Sequence, residues 1–214
     1  MVRTDTGYIP ALRFRILMPL YDPLLKWGMR EEAFKRRLIA RAAIEPGQDV
    51  LDLGCGTGTL TLMLKDAAPE TRLTGLDGDP QVLDIARAKA ARSGQSVNWD
   101  LGMAYDLPYP NSSFDVVVSS LVIHHLDTDH KLMALREVRR ILRRGGRLHM
   151  VDFGRPTSSF TRLQAAIMKN LEQAGDNFCG RILPMLGQAG FRRASESEPM
   201  HTVFGPIWLY SAIK

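Results

Sequence analysis

Three glycines at alternate positions, Gly54, Gly56 and Gly58, follow directly on the short apolar run Val50-Leu51-Asp52-Leu53. Glycines at a strand tip let the backbone approach a ligand closely and take dihedrals that other residues resist. The helix beginning behind them presents free N–H groups to the same ligand. Asp52 stands just before the glycines, and a second acid, Asp77, closes the run Leu73-Thr74-Gly75-Leu76. An ionised carboxylate there can accept from two donors at once. A glycine triplet alone is common. A triplet behind one strand, with an acid ending the next, is a strong signal.

Hydrophobic rhythm supplies the elements that must hold these residues. Residues 31–44 read as a helix with Phe34, Leu38 and Ile39 inward and Lys35, Arg36, Arg37 and Arg41 outward, ended by Pro46-Gly47. Behind the glycines Leu60, Leu62, Met63 and Leu64 look helical, and Pro80 opens another helix after the strand 72–76. Residues 97–101 and 114–119 read as strands, the second apolar throughout, as a strand buried on both faces is. A helix over 131–142 ends at Gly145-Gly146, and 147–152 is the next strand. Strand and helix alternating at this spacing give a doubly wound α/β domain with a mostly parallel sheet. The end of the chain departs from that rhythm. Helices near 161–174 and 181–189 precede two strands, 194–203 and 207–212, which Gly205-Pro206 joins as an antiparallel pair.

The chain has 214 residues, 45% hydrophobic and 24% charged, which suits one globular domain and not a disordered one. Two cysteines, Cys55 and Cys179, make neither a disulfide framework nor a metal site and fit a reducing cytoplasm. No apolar stretch reaches the ~20 residues of a spanning helix, and residues 1–10 lack a signal peptide's apolar run. The net charge of +5, with Arg139, Arg140, Arg143, Arg144 and Arg147 clustered, suits anionic partners or a solvated face.

The stretch 50–58, with Asp77 ending the second strand, resembles the class I S-adenosylmethionine-dependent methyltransferases. Gly102-Met103-Ala104-Tyr105-Asp106-Leu107-Pro108-Tyr109, the strand and loop 114–126, and residues 142–152 are similar to later segments of that family. The closest likeness is to its quinone-biosynthesis and phospholipid N-methyltransferase-like group, through Phe34-Lys35-Arg36 ahead of the first strand. The resemblance implies a seven-stranded Rossmann-like sheet with a terminal antiparallel pair, over residues 45–214 of a single domain, and an N-terminal helical lid over 1–44. It implies S-adenosyl-L-methionine as cofactor, S-adenosyl-L-homocysteine as product, and no metal. The implied cofactor residues are Asp52, Gly54, Cys55, Gly56, Thr57, Thr59, Asp77, Gly78, Met103, Ala104, Ser119 and Ser120. Met103 stands where many relatives carry an acid that bonds the adenine amine, so packing on the ring replaces that bond. Arg36 either reaches the cofactor carboxylate or is a surface charge. Tyr8 and Tyr21 belong to the lid over the cofactor, as cofactor-binding residues, and Trp27 to packing.

Methyl transfer from a sulfonium is an in-line displacement that depends largely on alignment in a dry pocket. A base is needed only where the acceptor must lose a proton. His124 and His125, which with Tyr21 are the catalytic candidates, stand where the carboxyl edge of the sheet opens, as a base, as acceptor-pocket walls, or as loop histidines bonded to backbone. His130, His149 and His201 read as structural or surface, and Asp152 as a weaker site residue. The stretch 9–27 mixes apolar residues with Arg13, Arg15 and Lys26, so it either docks on the sheet or lies on an anionic membrane surface, peripherally at its inner face. A lipid or small molecule, as a phospholipid amine or a quinone precursor, is the expected acceptor. RNA or protein is the alternative, although no Asn-Pro-Pro-Tyr motif is present. Outside this class stand a nucleotide-dependent oxidoreductase, which lacks support from a G-x-G-x-x-G spacing, and a non-catalytic cofactor-binding module.

Overall fold

Leucine and β-branched runs bounded by turn residues become strands, and the stretches between them wrap back as helices. The computed structural model describes residues 31–168 and 173–214. In chain order these form α1 (Glu31–Ala42), β1 (Asp49–Leu53), α2 (Thr59–Ala67), β2 (Arg72–Asp77), α3 (Pro80–Ser93), β3 (Asn98–Leu101) and β4 (Phe114–Ser120). A 3-10 turn (Ile123–His125), α4 (Thr128–Ile141), β5 (Leu142–Phe153), α5 (Ser159–Met168), α6 (Gly175–Phe178) and α7 (Ile182–Gln188) follow. The strands β6 (Arg192–Glu196), β7 (Met200–Thr202) and β8 (Gly205–Ile213) close the fold.

The strands make one sheet in the order β3-β2-β1-β4-β5-β8-β6, with β7 also on β8. The first five run parallel, and β8 returns antiparallel to β5. The strand order reverses between β1 and β4, so a crevice opens beyond their carboxyl ends. Asp79 caps α3 by accepting from the Gln81 amide, with Pro80 in the first turn.

Three expectations about elements need correction. The stretch 194–203 is two strands, because Pro199 has no N–H to give the ladder, so the sheet has eight strands among the described residues. Gly145 and Gly146 do not end α4, which stops at Ile141. They lie in the bulged start of β5, where the register against β4 shifts and Gly145 takes a φ of 77°. The helix expected over 161–174 is α5 followed by the separate turn α6, with 169–172 outside the described residues.

Alternation along β1 and β4 divides the core in two. Leu51, Leu53 and Val117 face α4 and α7 through Leu135, Val138, Ile182 and Leu186. Val50, Val116 and Val118 face α1 and α2 through Phe34, Leu38, Leu60 and Leu64. Residues 31–42, expected as the end of a lid, are therefore a core helix. The remainder of the expected lid, with Tyr8, Tyr21, Trp27 and the stretch 9–27, lies outside the described residues. The arginine cluster is largely engaged internally. Arg143 pairs with Asp49 and Asp115, Arg140 with Glu137, and Arg139 and Arg147 donate to the carbonyls of Gly190 and Ala43. No helix of the described residues is long and apolar enough to cross a membrane.

Candidate active site

The glycine turn is shaped by its neighbours. Gly54, Gly56 and Gly58 all adopt positive φ, at 68°, 53° and 77°. A Cβ on Gly54 would stand 2.3 Å from Val122 Cγ2, and one on Gly58 2.7 Å from the Trp99 ring. Gly56 is different: a Cβ there meets nothing within 4 Å among the described residues, so they leave its backbone open. The amides of Gly54 and Cys55 donate to the Leu76 carbonyl, which ties the turn to the end of β2. Asp77 completes the tie, its Oδ2 accepting from the Gly56 amide at 2.8 Å and its Oδ1 from the Asp79 amide at 3.0 Å. Burial raises the Asp77 pKa against these amide bonds.

Asp52 alternates onto the α1–α2 face of the sheet and is only 1% exposed. Its Oδ2 accepts from the Thr61 hydroxyl at 2.6 Å, whereas its buried Oδ1 has no hydrogen-bond partner among the described residues. Burial pushes its pKa up to about 6, opposed by the Thr61 bond and the Lys35 charge. A buried carboxylate oxygen left open is costly unless a donor reaches it.

These groups line one cleft of about 300 Å³ at the reversal of strand order. Of the residues singled out in the sequence, Asp52, Gly54, Cys55, Gly56, Thr57, Thr59, Asp77, Gly78, Met103, Ala104, Ser120 and His125 meet on its walls. Thr57 and Thr59 also receive bonds from the Lys89 ammonium. Cys55 is buried, and desolvation, followed by the charges of Asp52 and Asp77, raises its thiol pKa well above the ordinary range.

Three singled-out residues stand elsewhere. Arg36 is on the solvent face of α1, paired with Glu32, while its neighbour Lys35 turns to the cleft and pairs with Glu31. Ser119 is buried in β4 and donates to the Leu53 carbonyl at 3.0 Å. His124 is buried, its Nδ1 2.8 Å from Asp152 Oδ1. Tyr8 and Tyr21 lie outside the described residues.

Asp152, at the end of β5, organises the loop after β4. Its Oδ2 accepts from the Ile123 amide at 2.8 Å and the Val122 amide at 3.2 Å, and its Oδ1 also receives Asn177 Nδ2 at 3.2 Å. Burial would raise its pKa, but the His124 charge and bond and the backbone amides hold it below the usual range. The His124 and His125 rings stand 4.0 Å apart, and it is His125 that faces the cleft. Leu121, also on the wall, holds a left-handed φ of 59°, the kind of backbone strain that collects at ligand sites.

Sequence reading did not single out Glu31, Lys35, Tyr105, Val122, Asp127 or His130 for the cleft. His130, read as structural or surface, is on its rim, stacked on Tyr105 at 4.1 Å and bonded through Nδ1 to Asp127 at 2.8 Å. The Tyr105–His130 pairing joins a loop to the first turn of α4 and leaves no local pattern. Among the described residues no group of three or more His, Cys, Asp or Glu is placed to hold a metal.

Comparison with known proteins agrees with this geometry. The model of the family described as "Methyltransferase domain" matches residues 50–146. The demethylmenaquinone methyltransferase of Deinococcus radiodurans is 35% identical over 73% of this chain, which spans 65% of that relative's length. The ubiquinone/menaquinone biosynthesis C-methyltransferase of Burkholderia vietnamiensis is 31% identical over 85% of this chain and 72% of its own. A solved structure of a SAM-dependent methyltransferase from Methanosarcina mazei shares the fold, with a TM-score of 0.67 at 20% identity over 82% of this chain and 96% of that one. The chain belongs to the class I S-adenosylmethionine-dependent methyltransferases, in their quinone-biosynthesis group.

Proposed function

We propose that the protein methylates a ring carbon of a quinone precursor, with the cofactor laid across the glycine turn and the acceptor held against the 121–130 wall. S-adenosylmethionine supplies an electrophilic methyl group on a sulfonium. The observation that carries its placement is the buried Asp52 Oδ1 beside the cleft, without a partner among the described residues and an acceptor suited to an ammonium group. In this reading Lys35, rather than Arg36, answers the cofactor carboxylate. Each Asp77 oxygen keeps a lone pair beyond the Gly56 and Asp79 bonds, which allows both ribose hydroxyls to donate. Met103 packs beside the adenine, and the backbone at Ala104 serves its amine. The open backbone at Gly56 allows close approach of the cofactor chain.

Two features support the acceptor. The relatives' names specify quinone precursors and, in one case, carbon as the methylated atom. The wall facing the glycine turn also combines apolar Val122 and Leu126 with Tyr105, His125 and His130, suiting a flat aromatic ring bearing hydroxyls. His125 takes the proton that the ring must lose when a carbon–carbon bond forms. Asp152, through His124 and the amides of Val122 and Ile123, positions the loop that carries His125.

The test is incubation of the protein with S-adenosylmethionine and a demethylated quinone precursor, with mass spectrometry locating the added methyl group. One methyl on a ring carbon is expected. A methyl on oxygen, or no product while the protein binds S-adenosylhomocysteine, would refute the acceptor assignment.

A further inference from the structure

Helix α5 is amphipathic the wrong way round. Thr161 and Ala165 are buried against the fold, while the large apolar residues point outward: Phe160 is 69% exposed, Leu163 61% and Ile167 57%. A surface helix ordinarily turns its large apolar stripe to the core. Val203, 59% exposed, joins the same face. Gln164 Nε2 donates to the Thr202 and Val203 carbonyls at 3.2 and 2.9 Å, which fastens α5 to the turn between β7 and β8. Single exposed apolar residues are ordinary, but four on one helix and the turn bonded to it mark a contact surface.

The place and charge of this face indicate what covers it. α5 follows β5, and β8 begins opposite the end of β5, with Phe153 beside Ile207. Both lie at the carboxyl edge of the parallel strands, where the cleft opens. α5 contains no acid, and Arg162, which is exposed, is its one charge. Nearby Arg155 and Arg181 are more than half exposed, each already paired with a carboxylate, Glu196 and Asp176. Exposed apolar side chains beside the Arg162 cation, on a helix without an acid, suit the interface of an anionic bilayer.

We infer that Phe160, Leu163, Ile167 and Val203 dock on an anionic membrane surface, so that an apolar acceptor passes from the bilayer into the cleft. This rests on the reading of the acceptor as a lipid-soluble quinone precursor. The test is flotation of the full chain with vesicles of phosphatidylcholine and phosphatidylglycerol, beside a variant combining Phe160→Ser, Leu163→Ser and Ile167→Ser. The wild-type protein floats with the anionic vesicles, and the variant's partitioning falls by at least about tenfold. Its melting temperature and S-adenosylhomocysteine affinity stay unchanged, because these side chains are exposed and none lines the cleft. Wild-type protein that stays in the lower fraction overturns the inference, as does a variant that floats equally well. A variant that melts several degrees lower, or a change of oligomeric state, also overturns it by showing that another part of the chain or a second copy covers the face. Activity separates this inference from the acceptor assignment. The variant loses rate on an acceptor embedded in vesicles but keeps it on a short-tailed soluble analogue. If the wild-type protein methylates neither, the acceptor assignment fails, and flotation still decides the surface.

Discussion

At the scale of single residues, the proposed placement of the cofactor makes Asp52 the group whose state governs binding. Burial raises its pKa to about 6, so near that pH part of the free protein carries it neutral. An ammonium ligand prefers the carboxylate, and an α-amino group stays protonated below about pH 8. The sign follows: affinity for S-adenosylhomocysteine rises as pH increases through about 6, then levels off. Titration calorimetry across this range checks it, and Asp52→Asn should weaken binding about 10–100-fold and flatten the profile. His125→Ala should lower the methyl-transfer rate by about 100-fold with S-adenosylhomocysteine affinity intact, read by single-turnover kinetics beside calorimetry. Equal loss of both would make His125 a binding residue. Adjacent residues were the hardest to separate in the sequence. Lys35 and Arg36 differ by 100° around α1, and only the position of the cleft tells which one reaches it. Ser119 and Ser120, like His124 and His125, are divided by which side chain the interior consumes.

At the scale of elements, the site is a junction of three strand ends held by two ties. Gly54 must stay small because Val122 occupies the space of its Cβ, and its φ is left-handed. Gly54→Ala should destabilise the protein by about 1–3 kcal/mol, lowering its melting temperature by about 2–4 °C per kcal/mol in calorimetry. Asp152 is the second tie, and its loss leaves the Ile123 amide without its acceptor and Asn177 Nδ2 with only the Phe153 carbonyl. Asp152→Ala should cost about 3 kcal/mol, measured as a shift in the urea midpoint without change in slope. The strands β1, β2 and β4 were legible because their runs are short, apolar and punctuated. The bulge at Gly145-Gly146 was not, since a glycine pair after a helical stripe reads equally as a helix end. The break at Pro199 was available in the sequence, because proline cannot sit inside a paired strand.

At the scale of the whole molecule, alternation of strand and helix was enough to give a doubly wound sheet, but the order of its strands was not written locally. The reversal between β1 and β4 brings Asp52, Asp77, Met103 and His125, spread over 74 positions, to one cleft. The positive charge was legible as a number and misleading as a surface. Arg140 and Arg143 fasten loops and the amino edge of the sheet, and so offer less to a polyanion than their count suggests. The central claim, methylation of a lipid-soluble acceptor, is tested most directly by adding the protein and methyl-labelled S-adenosylmethionine to cell extract and partitioning the products. The account predicts label in the organic phase, on a quinone-class lipid. Label confined to RNA, protein or the aqueous small-molecule pool would contradict it.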